Sequence, residues 1–326
     1  MSNIGEFELI GRINASVTVP QGVTGIGDDC AIIPQREGFD TLVTTDLLIE
    51  GRHFLLEDIS PYELGWKSAA VNISDIAAMG GRPHSAFLSI AIPERVEVEW
   101  VDEFIRGFNA LCGKYGVSLL GGDTSASDDK LFVNVTLLGE CRHGRAVLRS
   151  GAQAGDIVYV TGPLGDAAAG LKLILERVAS AAKHRCDASE SVLIRRHYLP
   201  EPRVEMGMAL ATLPGVHSMM DISDGIASDL KHILKASSLS AEIDIKSIPL
   251  SEELTAVCTA RSWDPVELAV SGGEDYELLF TSAPDCEVPG GCVPIGRIVD
   301  SSELPGMTGQ IRWRGSDKEY KGFTHF

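Results

Sequence analysis

The chain has no excess of basic residues. Lys and Arg number 28 against 46 Asp and Glu, a formal net charge of −18 over 326 residues. That excludes the basic stripe with which a general nucleic-acid binder neutralises phosphates, and a polybasic membrane-surface patch. Cysteine is sparse and unpatterned: seven residues, an odd number, with no C-x-x-C pair. This argues against a disulfide framework or a zinc ribbon and for reduced thiols. No stretch approaches the roughly 18 apolar residues of a membrane span. Glu6 and Glu8 stand where a signal peptide carries basic and then apolar residues. The expectation is a soluble, cytoplasmic globular protein, with 44% hydrophobic residues to build its core.

The familiar phosphate-binding motifs are also missing. Gly113-Lys114 is followed by Tyr115 and lacks the upstream glycine of a P-loop, no G-x-G-x-x-G follows a strand, and no H-R-D catalytic loop occurs. What the chain does have is dense strand–helix patterning. Thr41–Ile49 and His84–Ile92 read as strands, and Pro61 to about Met79 and Val98–Tyr115 as amphipathic helices. Val117–Leu120 and Leu131–Gly139 add two strands in succession. A small, polar segment near Ser150 predicts a boundary, dividing the chain into domains 1–150 and 151–326. Beyond it, strands at Ile157–Thr161, Met219–Ile222, Ala241–Ile245 and Leu278–Thr281 are interleaved with helices at Asp166–Val178, Pro202–Thr212 and Ile226–Lys235. Ala179–Ser191 reads as a charged surface connection. Imperfect alternation with adjacent strands predicts an α/β chain of mixed sheets, with helices on one side, rather than a doubly wound parallel sheet.

The chemistry-bearing pattern is aspartate beside glycine. Asp28-Asp29 follows Gly27, Asp46 ends Thr44-Thr45-Asp46 in an apolar strand, and Asp75 lies on the first strong helix with Asn72. Gly121-Gly122-Asp123 follows a strand, Asp221-Ile222-Ser223-Asp224-Gly225 joins a strand to a helix, and Gly272-Gly273-Glu274-Asp275 precedes another strand. Each has a plain structural reading: Asp224 as a helix N-cap, Gly121-Gly122-Asp123 as a turn, Asp28-Asp29 as a solvated loop. Together they point to a multi-metal site. Two carboxylates about 4 Å apart repel by roughly 4 kcal/mol at an effective dielectric near 20, so a gathering of them needs cations. Oxygen ligands select hard ions such as Mg²⁺, which binds carboxylates together with substrate phosphates. Weaker candidates have bland readings at least as strong, a lone loop histidine being more often a surface residue and βα turns being common. His53 is a loop histidine near Asp46, Arg149 is a phosphate clamp or a boundary salt bridge, and Gly162-Pro163-Leu164-Gly165 resembles a βα phosphate turn.

Seven segments in order, GIGDDCA (Gly25–Ala31), TTDLLIEGRHF (Thr44–Phe54), AVNISDIAAMG (Ala70–Gly80), GGDT (Gly121–Thr124), VTGPLGDAAAG (Val160–Gly170), DISDGIASDL (Asp221–Leu230) and SGGEDYELLF (Ser271–Phe280), resemble the thiamine-monophosphate kinase family. The match extends to the closing Lys321-Gly322-Phe323-Thr324-His325-Phe326. The wider relatives are the aminoimidazole-ribonucleotide-synthetase-like ATP enzymes. The resemblance implies a two-domain fold whose N-terminal domain pairs with its twin in a homodimer through its sheet. It implies ATP- and Mg²⁺-dependent phosphorylation of thiamine monophosphate to thiamine diphosphate, the last step of that biosynthesis. Asp29, Thr44, Thr45, Asp46, Asp75, Asp123, Asp221 and Asp224 would hold several Mg²⁺ ions, with Asp46, Asp75 and Asp123 central to catalysis. Gly121, Gly122, Asp123, Arg149 and Ser223 would contact ATP, and His53, Glu274 and Phe323 the thiamine phosphate. Two alternatives stand beside it. A sibling selenophosphate synthetase is expected to carry a Cys and a Lys in its N-terminal segment, and residues 1–24 hold neither; a hydrogenase-maturation sibling is expected to end in a Cys tail, and no Cys follows Cys292. The other is a nucleotide- or thiamine-phosphate-binding sensor without turnover.

Overall fold

The computed structural model describes residues 12, 15–18, 20–21, 36–180, 186–300 and 309–322. Asp29 and Phe323 lie outside the described residues. The chain divides into two compact units, Met1–Ile76 with Gly81–Gly144, and Ala77–Gly80 with Arg145–Phe326.

Among the described residues from 36 onward, the first unit is a four-stranded mixed sheet with two helices. Its elements are β1 (Phe39–Ile49), α1 (Pro61–Ala78), β2 (Arg82–Pro93), α2 (Val98–Tyr115), β3 (Ser118–Ser127) and β4 (Phe132–Arg142). The strand order is β1-β4-β2-β3; β4 runs antiparallel to both neighbours and β2 pairs parallel with β3. Parallel neighbours need a crossover, and α2 supplies it. Strict alternation along β1 buries Leu42 and Leu48 and exposes Val43 and Leu47. Val133, Val135, Leu137, Leu88 and Ile90 of the sheet are buried, as are Ala69, Ala70 and Ile73 of α1 and Phe104 and Phe108 of α2. Ser60 and Glu63 start α1 with a reciprocal cap: the Glu63 N–H donates to Ser60 Oγ at 3.3 Å, and the Ser60 N–H to Glu63 Oε2 at 2.9 Å.

The second unit carries β5 (Ile157–Val160), α3 (Asp166–Ser180), α4 (Ala188–Tyr198), α5 (Val204–Leu210), β6 (Val216–Asp221), α6 (Ile226–Ser237), β7 (Ser240–Asp244), α7 (Glu252–Arg261), α8 (Pro265–Ser271), β8 (Leu278–Ser282), β9 (Val293–Val299) and β10 (Ile311–Arg314). The strands form one sheet in the order β10-β7-β9-β5-β8-β6, antiparallel except between β10 and β7. Both sheets are mixed, as the imperfect alternation predicts.

The structure departs from the sequence reading at several places. β3 does not stop at Leu120 but runs through Gly121-Gly122-Asp123, so these residues form no turn. Residues 188–191, assigned above to a surface connection, are the first turn of α4, which Asp187 and Glu190 open with a full capping box. Helices α7 and α8 have no counterpart in that reading; Ser251 and Asp264 cap them.

Candidate functional site

In the first unit the period of two along β1 decides which of Thr44, Thr45 and Asp46 meet. Thr44 and Asp46 fall on the side of Leu42 and Leu48, and the Thr44 hydroxyl donates to Asp75 Oδ2 on α1. Asp46 is half-buried. Burial, and behind it the charge of Asp75, pushes its carboxyl up to about 6. Asn72, one turn earlier on α1, is fully buried; its amide N–H donates to the Ser68 carbonyl at 3.2 Å, while its Oδ1 has no partner. Two carboxylates whose charges oppose each other and a hydroxyl, with no thiol or imidazole among them, fit a hard divalent ion that keeps part of its water shell. Among the described residues, no three or more His, Cys, Asp or Glu side chains are grouped so as to hold one ion by themselves.

The neighbouring candidates lie apart from this trio. The Thr45 hydroxyl accepts from Asn134 Nδ2 at 3.2 Å and Thr136 Oγ1 at 3.1 Å on the other face of the sheet. Gly121, Gly122 and Asp123 stand on β3, the opposite edge from β1, with Asp123 exposed and paired to Ser89. Gly122 has φ 149°, and a Cβ there would lie 1.7 Å from the Leu88 carbonyl oxygen, so only glycine lets β3 approach β2 at this point. His53 sits in the turn after β1, its Nδ1 accepting the Ile49 N–H at 3.0 Å.

In the second unit, Asp221 ends β6 and the loop through Ser223 and Asp224 leads into α6. Asp224 is not the N-cap: Gly225 takes that position, with no side-chain cap. The carboxylate that holds this loop is Asp229, one turn into α6, whose Oδ2 accepts the N–H groups of Ser223 and Asp224, both at 3.1 Å. Asp229 is buried. Burial, then the charges of Asp221 and Asp224, pushes its carboxyl up to about 8 against the pull of those two N–H groups. The loop 271–277 lies directly on this one. The Glu274 N–H donates to the Ser223 carbonyl at 2.8 Å and the Tyr276 N–H to the Ile222 carbonyl at 3.0 Å. A Cβ on Gly225 would come within 2.5 Å of the Gly272 oxygen, and one on Gly273 within 2.1 Å of the Ser223 oxygen.

Glu274 meets His197 of α4, with Oε2 3.2 Å from Nδ1. The next residue, Asp275, turns into the first turn of α3, accepting the Gly165 N–H at 2.8 Å and the Ala167 N–H at 3.3 Å. The Gly162–Gly165 turn is therefore no open phosphate cradle: the Gly165 N–H goes to the chain's own Asp275 carboxylate, the Leu164 N–H to the Pro249 carbonyl, and Pro163 has none. Arg149 is exposed; burial first and then the Arg149 charge hold His232 of α6 below the ordinary histidine value. A surface depression along α7, lined by Leu250, Thr255 and Ala256, carries none of these residues.

Thr44, Asp46 and Asp75 are thus brought together in one unit, and Asp221, Ser223, Asp224 and Glu274 in the other. Asp229 and Asp275 are organising residues that the sequence reading left without a role. Both lie inside quoted motifs, and both work by accepting backbone N–H groups, which leaves no spacing signature.

Comparison with known proteins places the whole chain in one family. Residues 27–141 match the model of the AIR synthase related protein, N-terminal domain, and residues 153–301 that of its C-terminal domain. The chain is 38% identical over 284 residues to thiamine-monophosphate kinase of Haemophilus influenzae, covering 86% of this chain and 83% of that protein. It is 41% identical over 282 residues to the Escherichia coli K12 enzyme of the same name, covering 85% and 82%. The structure of AaThiL complexed with AMPPCP and TMP superposes with a TM-score of 0.81 at 36% identity, covering 100% of this chain and 98% of that one.

Proposed function

The chain belongs to the thiamine-monophosphate kinase family, and from that premise we propose that it transfers the terminal phosphoryl group of ATP to the phosphate of thiamine monophosphate, giving thiamine diphosphate and ADP. A relative of the same fold holds AMPPCP and TMP. The observation that carries the reading in this chain is half-buried Asp46 held beside Asp75 and Thr44, a concentration of negative charge that burial alone disfavours.

Thr44, Asp46 and Asp75 would hold Mg²⁺, which supplies charge neutralisation between the anionic donor and acceptor. We assign Asp29, Thr45, Asp123, Asp221 and Asp224 to the remaining ion contacts, Gly121, Gly122, Asp123, Arg149 and Ser223 to ATP, and His53, Glu274 and Phe323 to the thiamine phosphate. The Ser223 N–H is taken by Asp229 and its carbonyl by Glu274, so the hydroxyl is the group it offers a nucleotide. Gly121 and Gly122 keep side chains away from β3, where backbone can approach a phosphate. The acceptor is itself a phosphate with a second pKa near 6, so it is already mostly dianionic at neutral pH and needs no strong base. Direct in-line transfer, without a phospho-enzyme, follows from that chemistry. A cytoplasmic location and a second copy of the chain against the outer face of β1, where Val43 is 65% and Leu47 48% exposed, complete the proposal.

The test is a ³¹P NMR time course with ATP, Mg²⁺ and thiamine monophosphate, run beside a tube containing EDTA. A growing thiamine diphosphate doublet that EDTA abolishes is the expected result. ADP without that product would assign the chain to a sibling reaction, and no ATP consumption would leave it a binding protein.

A further inference from the structure

Four non-glycine residues among those described have positive φ. Two of them, Ser238 and Ser262, are left-handed C-caps of α6 and α7, an ordinary use of that conformation. The other two, Glu274 at φ 65° and Tyr276 at φ 51°, end no helix and flank a single residue, Asp275. A side chain in this region is strained and persists only where its surroundings over-determine it.

The surroundings do so from two sides. The N–H groups of Glu274 and Tyr276 are bonded to the carbonyls of Ser223 and Ile222, and Gly273 packs on Ser223 without room for a Cβ. Those contacts fix the backbone at the strained residues themselves. The hold between them is the Asp275 side chain, with one carboxylate oxygen on the Gly165 N–H at 2.8 Å and the other on the Ala167 N–H at 3.3 Å. These amides at the start of α3 have no partner inside their own helix, so they bind a carboxylate well. With Asp275 committed to α3, the neighbouring Glu274 carboxylate is the one presented outward, 28% exposed and 3.2 Å from His197 Nδ1.

We propose that Asp275 is a positioning residue: by gripping the first turn of α3 it locks the left-handed backbone at Glu274 and so aims the Glu274 carboxylate at the thiamine phosphate substrate. This rests on the assignment of Glu274 above. Asp275 itself touches backbone rather than substrate, and its effect passes through Glu274.

The test is a double-mutant cycle in the full chain with Mg²⁺, comparing Glu274→Gln, Asp275→Asn and the double variant. Asparagine keeps the shape but turns an NH₂ toward one of the two N–H donors. Asp275→Asn is expected to raise KM for thiamine monophosphate about tenfold while KM for ATP stays within about twofold. In the Glu274→Gln background the same change is expected to add less than about twofold, because the group it positions is already gone. Hydrogen exchange of a peptide spanning 273–277 should quicken in Asp275→Asn, a readout independent of turnover. Effects that multiply in the double variant, or an unchanged KM for thiamine monophosphate in Asp275→Asn, overturn the proposal. An unchanged KM in Glu274→Gln alone identifies the Glu274 assignment as the part that failed, and the proposal falls with it. Asp275→Glu, which keeps both oxygens on a longer arm, runs through the same cycle if the asparagine variant does not fold. Failure of both to fold assigns Asp275 to stability alone and overturns the positioning role.

Discussion

At the scale of single residues, the ion-binding role proposed for Asp46 would set function against stability. Its carboxyl is pushed up to about 6 by burial and by Asp75, so the folded chain holds a proton there that the unfolded chain releases. Asp46→Asn removes that conflict and keeps the shape. We predict that kcat falls by at least about 100-fold, since even an outer partner of a metal ligand costs 10–100-fold. The melting temperature in EDTA at pH 8 should be no lower than that of the unmodified chain. Near-normal turnover would remove Asp46 from the ion site. Asp46 was legible in the sequence because a charge inside TLVTTDLLI is conspicuous. The Thr44–Asp75 contact was not, since it joins β1 to a helix about thirty residues away. That the Thr45 hydroxyl faces away from Thr44 and Asp46 was legible in the period of two along the strand.

At the scale of elements, identical substitutions should act with opposite sign. Gly225 opens α6 at φ 91°, and a Cβ there lies 2.5 Å from the Gly272 oxygen. Gly225→Ala should cost at least about 1–3 kcal/mol and lower turnover, because the Ser223–Asp224 loop must shift away from 271–277. Gly113 lies within α2 with nothing inside 4 Å of its would-be Cβ, so Gly113→Ala should stabilise by about 0.5–1 kcal/mol. Urea titrations of both variants check the pair, and a Gly225→Ala protein as stable as the parent would contradict the close approach of the two loops. The same elements show why some helices were legible and others not. The apolar stripe of α2 is long and regular, and α1 carries enough apolar residues to be buried on most of its faces, Lys67, Ser68, Asn72 and Ser74 included. In α7 only Leu254, Val257 and Cys258 are buried, and α8 is seven residues long. Their signal is in the caps instead: Ser251 before Glu252-Glu253, Asp264 before Pro265, and Asp187 three residues before Glu190. Gly121-Gly122 misled in the other direction, since paired glycines suggest a turn where the strand needed room against Leu88.

At the scale of the whole molecule, the acidic charge and the perturbed carboxyls combine into one pH dependence. Asp46 is pushed up to about 6, and Asp229 and Asp275 each to about 8, burial being the first cause for all three. A carboxyl raised above its unfolded value binds a proton in the folded chain that the unfolded chain has lost. Its stabilising contribution is therefore full at or below pH 4 and disappears as pH rises through 6 for Asp46 and through 8 for the other two. Other carboxylates act oppositely at the acid end. The Arg297 hydrogen bond lowers Glu242, and the Lys318 hydrogen bond lowers Asp264, so stability is lost as pH falls through those depressed values. In EDTA the melting temperature should thus pass through a maximum in mildly acid solution and decline toward pH 9. Sodium chloride should recover part of the decline by screening a net charge of −18. Mg²⁺ at matched ionic strength should recover more, and increasingly so with rising pH, because the proposed ion site would take Mg²⁺ only once Asp46 is deprotonated. In Asp46→Asn that excess of Mg²⁺ over sodium should shrink while the sodium effect stays. If Mg²⁺ and sodium stabilise the unmodified chain equally at every pH, the acidic residues act as a diffuse field and not as an ion site.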